Sequence, residues 1–159
     1  MVISNRSTAP VLDMAAGFGV ETLVIKREEF YQTEQLLDSL KGIDLLVLAG
    51  FLWLIPGYLV QAYPQGIVNI HPALLPQYGG KGMYGMNVHR AVSKAEETES
   101  GMTIHYVNEH YDEGQIIFQA RCPIIPGEAP EQIAKKVLAL EHEHFAPVIE
   151  QLLLKTDRS

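Results

Sequence analysis

Asn69 and His71 stand two residues apart in Asn69-Ile70-His71-Pro72. In a β-strand that spacing turns both side chains to one face and sends Ile70 to the other. Pro72 has no N–H and ends a ladder, so the pair is expected at the carboxyl end of a parallel strand, where open α/β sheets bind ligands. An amide beside an imidazole can hydrogen-bond an oxyanion as it develops, and a nearby carboxylate can hold the ring protonated or accept a proton through water. Asp112, in the turn Asp112-Glu113-Gly114, can supply that carboxylate. From spacing alone, a hydrogen-bonded strand end is the alternative for Asn69 and His71, and Asp-x-Gly turns occur for backbone reasons of their own.

Other polar clusters offer less. Tyr78-Gly79-Gly80-Lys81-Gly82 has the glycines and lysine of a nucleotide-triphosphate loop, but no Ser or Thr follows Lys81 and no strand leads directly into it. A flap beside a substrate is the expectation there. Of the six histidines, His142 and His144 stand two apart on a predicted helix, where i and i+2 share no face, so they make no chelating pair. His89 and His110 sit in polar contexts and are expected to be solvent-exposed. No metal is expected.

The elements that must position the trio alternate. Val2 to Ser4, Thr22 to Ile25, Leu45 to Ala49 and Ile67 to Ile70 read as strands, with helices at Pro10 to Gly17, Glu28 to Lys41 and Pro56 to Tyr63 between them. That alternation predicts an α/β fold with a doubly wound, mainly parallel sheet and helices on both faces. A further helix is expected near Asn87 to Ala95. Gly101 to Val107 and Gln115 to Cys122 are expected to pair as a hairpin through the long loop Asn108 to Gly114. The chain closes on a helix from about Pro130, with Ile133, Val137, Leu140, Ile149 and Leu153 on its buried side and a kink at Pro147.

At 159 residues and 47% hydrophobic, the chain reads as one domain, 1–159. A net charge of -7 without a Lys/Arg cluster argues against a nucleic-acid partner. The apolar run Leu45 to Ile55 is shorter than the roughly 20 residues that cross a bilayer, so no membrane partner is expected. A single cysteine, Cys122, and the lack of a signal-peptide pattern suit the cytoplasm.

With these residues in place, the wording becomes specific. Asn69-Ile70-His71-Pro72-Ala73-Leu74-Leu75-Pro76, then His105-Tyr106-Val107 and Asp112-Glu113-Gly114-Gln115-Ile116-Ile117, resemble the signature of the phosphoribosylglycinamide formyltransferases. Leu48-Ala49-Gly50-Phe51 and Glu141-His142 match the same family, and the resemblance runs from about Val2 to Leu153. It implies a Rossmann-like formyltransferase fold and formyl transfer from 10-formyltetrahydrofolate, as co-substrate, to the amine of glycinamide ribonucleotide in de novo purine biosynthesis. It implies that Asn69 and His71 stabilise the oxygen of a tetrahedral intermediate while Asp112 keeps His71 charged and helps relay the amine proton. By the same analogy Leu52, Trp53, Ile55, Asn108, Tyr111 and Asp112 face the folate. Arg27, Pro72 and Glu141 face the ribonucleotide, and a homodimer is possible.

Trp53 departs from the family, which often has an arginine there. The first strand-like run begins almost at Met1, so the domain is expected to be N-terminally incomplete, without about one βα unit and the glycine-rich turn that holds the ribonucleotide phosphate in the family. A rival function is therefore a truncated folate-binding chain without catalysis. Two related enzymes share parts of the pattern. Methionyl-tRNA formyltransferase resembles His-Ala rather than His71-Pro72, and formyltetrahydrofolate deformylase commonly has a second His where Pro72 stands.

Overall fold

The computed structural model describes residues 1–156. The chain divides into two compact units, one spanning Met1–Ile43 and the other beginning at Asp44. The first holds β1 (Val2–Ser4), α1 (Pro10–Gly17), β2 (Thr22–Val24), α2 (Arg27–Gln32) and α3 (Leu36–Ser39). β1 and β2 pair in parallel, with Val2 opposite Thr22. α1 starts on Pro10, whose fixed φ suits a first turn, and turns Leu12 and Ala15, one helical step apart, into the interior.

The sequence predicts one helix over Glu28 to Lys41, and the structure breaks it. Thr33 is extended, at φ -135 and ψ 161, and its hydroxyl donates to the Glu29 carbonyl at 2.9 Å. A β-branched residue whose hydroxyl takes a carbonyl of the last turn ends α2, and the chain restarts as α3.

The second unit carries β3 (Leu46–Leu48), α4 (Gly57–Ala62), β4 (Ile67–His71), α5 (Met86–Lys94), β5 (Glu99–Tyr106), β6 (Ile116–Pro123) and α6 (Pro130–Thr156). Its sheet runs in the order β3-β4-β5-β6. β3 and β4 are parallel, and β4, β5 and β6 are antiparallel neighbours, the last two forming the expected hairpin. The result is an α/β fold whose parallel pairs lie early in the chain. Val68, Met102 and Ile104 from the strands pack with Val92 of α5 and with Ile133 and Val137 of α6. Each such side chain contributes about 1.5–3 kcal/mol by leaving water.

α6 runs through Pro147 without ending. Leu153, expected on its buried side, is 42% exposed, and Leu152 packs on the core instead. The reason is angular. Counting from Val148, Leu152 returns to within about 40° of the same face, whereas Leu153 is turned about 140° from it.

Candidate active site

β4 delivers Asn69 and His71 to one face, and the antiparallel register sets Asn69 opposite His105 and His71 opposite Thr103 on β5. Beyond Ile104 the β5–β6 register slips by a bulge, so that His105 faces Ile116. Bulges of this kind bend a strand and re-aim its side chains. The loop between these strands returns Asp112 over the end of β4. It closes tightly at Gly114, where a Cβ would run into the Tyr106 carbonyl, and Asp112 itself takes a left-handed φ of 58. Aspartate tolerates that conformation better than most residues.

Proton positions follow from acceptors that cannot donate. His71 Nε2 lies 2.8 Å from the Tyr78 carbonyl, so this nitrogen carries a hydrogen and donates it. The other nitrogen, Nδ1, faces Asp112 Oδ2 at 3.5 Å. The ring thus lies between two acceptors, and a second proton would bridge it to the carboxylate. His105 is fixed in the same way: Nδ1 donates to the Tyr106 carbonyl at 2.8 Å. In the neutral ring Nε2 is then a lone pair that accepts from Asn69 Nδ2 at 3.2 Å. This holds the Asn69 amide by one N–H and leaves its second N–H for a ligand. Asp112 Oδ1 stands 3.6 Å from the same His105 nitrogen, and Oδ2 accepts the Gly80 N–H at 2.9 Å.

Burial pushes the His71 imidazole below its ordinary pKa, with His105 adding to the effect, and the opposing pull of Asp112 and the Tyr78 carbonyl does not overcome it. The resemblance implies that Asp112 keeps His71 charged. At 3% exposure, burial favours the neutral ring, while the Asp112 carboxylate opposite Nδ1 favours the cation. Burial works to raise the Asp112 carboxyl, but contact with His105, the His71 ring and the Gly80 N–H together hold it below the usual carboxylate range. Asp112 is therefore the resident anion of the site.

These groups open on a cavity of about 770 Å³. Of the residues the sequence singled out, Asn69, His71, Asp112, Leu52, Tyr111, Pro72 and Glu141 line it. Burial raises the Glu141 carboxyl's pKa. Ile55 instead belongs to the core at 6% exposure, Trp53 stacks edge-on against Phe51, and Asn108 accepts the His110 N–H to close its own turn. Arg27 opens α2 in the first unit, its guanidinium 5.4 Å from the Tyr31 ring centroid. The glycine-rich loop contributes Gly80, Lys81 and Gly82 to the cavity wall. Among the described residues no group of His, Cys, Asp and Glu could hold a metal ion.

The sequence placed His105 only in the family-like string His105-Tyr106-Val107 and gave it no role, because its contacts with Asn69 and Asp112 arise from pairing between distant strands, and it did not single out the backbone of Tyr78 and Gly80. A histidine at strand period ahead of the Asp112 turn was the available signal. His89 is a further correction: expected in solvent, it is 6% exposed and lines the cavity. α5 turns it inward beside Val88 and Val92.

Strand-borne amide and imidazole, with a carboxylate looped over them, are groups able to stabilise a developing oxyanion, and comparison names the class. The formyl transferase family model matches residues 1–149, and the chain belongs to that family. More particularly, it is 43% identical over 156 residues to the chloroplastic phosphoribosylglycinamide formyltransferase of Arabidopsis thaliana, covering 94% of this chain and 53% of that one. The phosphoribosylglycinamide formyltransferase of Haemophilus influenzae is 32% identical over 93% of this chain and 70% of its own. The crystal structure of glycinamide ribonucleotide transformylase 1 from Symbiobacterium toebii superposes with a TM-score of 0.81 at 34% identity, over 93% of this chain and 70% of that chain. The chain thus spans about half the length of the Arabidopsis relative.

Proposed function

We propose that this chain transfers a formyl group from 10-formyltetrahydrofolate to the primary amine of glycinamide ribonucleotide, a step of purine biosynthesis. The observation that carries the reading is the His71 ring, held between the Tyr78 carbonyl and the Asp112 carboxylate and two residues along the strand from Asn69, at the wall of the cavity. The cavity volume falls in the usual range for small-molecule sites of about 300–1,000 Å³. Phe51 and Leu52 lend it apolar surface suited to a flat heterocycle, and Pro72 and Glu141, which the resemblance assigns to the ribonucleotide, also line it.

In the reaction the amine nitrogen bonds to the formyl carbon, the bond from that carbon to the folate nitrogen breaks, and one amine proton ends on the departing nitrogen. Asn69 offers its free N–H to the formyl oxygen. His71 Nε2–H turns from the Tyr78 carbonyl to the same oxygen. Asp112 accepts one proton from the attacking amine and passes it to His71 Nδ1, so that the imidazolium forms against the restored carboxylate, and the ring then gives its Nε2 proton to the departing folate nitrogen and returns to neutral. A lone, half-buried thiol, Cys122, whose pKa burial raises, suits a reducing compartment such as the cytoplasm.

The test is formyl transfer to glycinamide ribonucleotide by this chain and by Asn69→Ala. Loss of one such donor removes about 3 to 4 kcal/mol of transition-state stabilisation, or 10²–10³ in kcat, while the melting temperature changes little. A folded Asn69→Ala with wild-type turnover would refute the assignment.

A further inference from the structure

His89 is the buried titratable group that the proposed chemistry leaves without a task. It lies in α5 at 6% exposure and forms part of the cavity wall, to which α6 contributes Ala134, Leu138 and Glu141. Its Nδ1 is sealed from solvent and has no hydrogen-bond partner. A buried imidazole nitrogen without a partner is unfavourable, and such groups in native proteins call for an explanation. With Nδ1 sealed, Nε2 is the nitrogen that the cavity can reach.

The ring is also held neutral. Burial pushes its pKa down, and the nearby His71 adds to the effect, most of all when His71 takes a proton. A neutral imidazole offers Nε2 as a donor or an acceptor according to its tautomer, and nothing at Nδ1 selects between them. The ligand group that meets either tautomer is a hydroxyl, which can turn to donate or to accept. Glu141, which also lines the cavity and whose carboxyl pKa is raised by burial, is a second group able to share a hydroxyl.

We propose that His89 is a substrate-binding residue whose Nε2 holds a ribose hydroxyl of the ribonucleotide amine; this rests on the reading given under Proposed function. It sets affinity for that substrate and takes no part in proton transfer.

The test compares wild type with His89→Phe, which fills similar volume without a polar atom, and His89→Gln, whose amide reaches the position of Nε2. Binding of glycinamide ribonucleotide is measured by calorimetry and formyl transfer by steady-state kinetics. Loss of one hydrogen bond predicts that His89→Phe weakens ribonucleotide binding about tenfold. KM for that substrate rises in step, and kcat and the KM for 10-formyltetrahydrofolate stay within about twofold. His89→Gln recovers most of the affinity. Against a ribonucleotide whose ribose hydroxyls are replaced by hydrogen, wild type loses at least that factor, and His89→Phe loses about tenfold less than wild type because only the Glu141 contact remains to be lost.

Unchanged affinity in a folded His89→Phe, or a His89→Gln as weak as the phenylalanine variant, overturns the proposal. If His89→Phe does not fold, wild type against the deoxy analogue decides, and equal binding of the two ligands overturns it. Discrimination of hydroxyls by His89 in a chain that binds but transfers no formyl group would leave this inference standing and remove the transfer reading. A wild-type chain that binds no ribonucleotide removes both.

Discussion

Replacing Asp112 by asparagine removes one charge and almost no volume, so it isolates what the carboxylate does. The amide oxygen of the new side chain would still accept the Gly80 N–H, which lies 2.9 Å from Oδ2 in the wild type, and the loop is expected to keep its path. The electrostatic loss can be bounded. A full charge pair at the 3.5 Å between Asp112 and His71 is worth about 5 kcal/mol at an effective dielectric of about 20. That figure is a ceiling, because the carboxylate remains 11% exposed and water screens part of its field. It caps the effect at roughly 10³ to 10⁴ in rate, and with the screening we expect kcat/KM for formyl transfer to fall about 100- to 1,000-fold. The direction of the His71 titration is a separate check. Burial already holds its pKa down and Asp112 is the main counterweight, so in Asp112→Asn the ring should titrate at lower pH than in wild type, as read from histidine ring resonances. A folded Asp112→Asn within threefold of wild-type kcat/KM, or with the His71 titration unmoved or moved upward, would show that the carboxylate does not support the imidazolium.

Gly114→Ala should destabilise the protein by about 1 to 3 kcal/mol and lower activity, because its Cβ would collide with the Tyr106 carbonyl and push the Asp112 loop away; urea unfolding and the transfer assay read the two effects, and an alanine variant of wild-type stability would refute the close approach. Stability should also fall in mild acid. His71 and His89 both rest below the ordinary value of 6.5, so as pH drops past 6.5 the unfolded chain takes up protons that the folded protein resists. The contribution is complete above that pH and is lost progressively toward the folded-state values. Asp112, held below 3.8, adds a further loss only in stronger acid, as pH falls through its folded value. A urea midpoint that rises between pH 7 and 5.5 would contradict this.

What the sequence displayed were features of short range. Asn69 and His71 could be placed on one face because strand geometry is local, and Asp112 because its turn is. The break at Thr33 was hidden, since apolar spacing through Phe30, Leu37 and Leu40 continues across it while the side-chain hydrogen bond that ends the helix leaves no periodic trace. His105 depends on a register between β4 and β5 that only tertiary pairing sets. His89 looked exposed because its chain neighbours Asn87 and Arg90 are polar, yet helical rotation places it with Val88 and Val92. Ile55 and Leu52 carry similar side chains, and only the fold assigns one to the core and the other to the cavity wall.

The Tyr78 carbonyl and the Gly80 N–H bind the two members of the acid pair separately, one holding His71 and the other Asp112. A Cβ on Gly79 between them would lie 2.6 Å from Cδ2 of the buried Leu75 and 3.2 Å from Asp112 Cβ, so Leu75 would have to shift to admit a side chain. Three consecutive residues thus act as a caliper. The interval between ring and carboxylate is set by bond lengths and angles, with consecutive Cα atoms about 3.8 Å apart, rather than by the weak contact between the two groups themselves. A gauge of that kind holds the ring at a set spacing from the carboxylate until a ligand oxygen replaces the Tyr78 carbonyl at Nε2, and the Gly80 N–H keeps Asp112 in place after that exchange. The far end of the gauge is tethered as well, by the Tyr78 hydroxyl donating to Glu97 at 2.6 Å, which makes a carboxylate distant in sequence part of what positions His71 and Asp112.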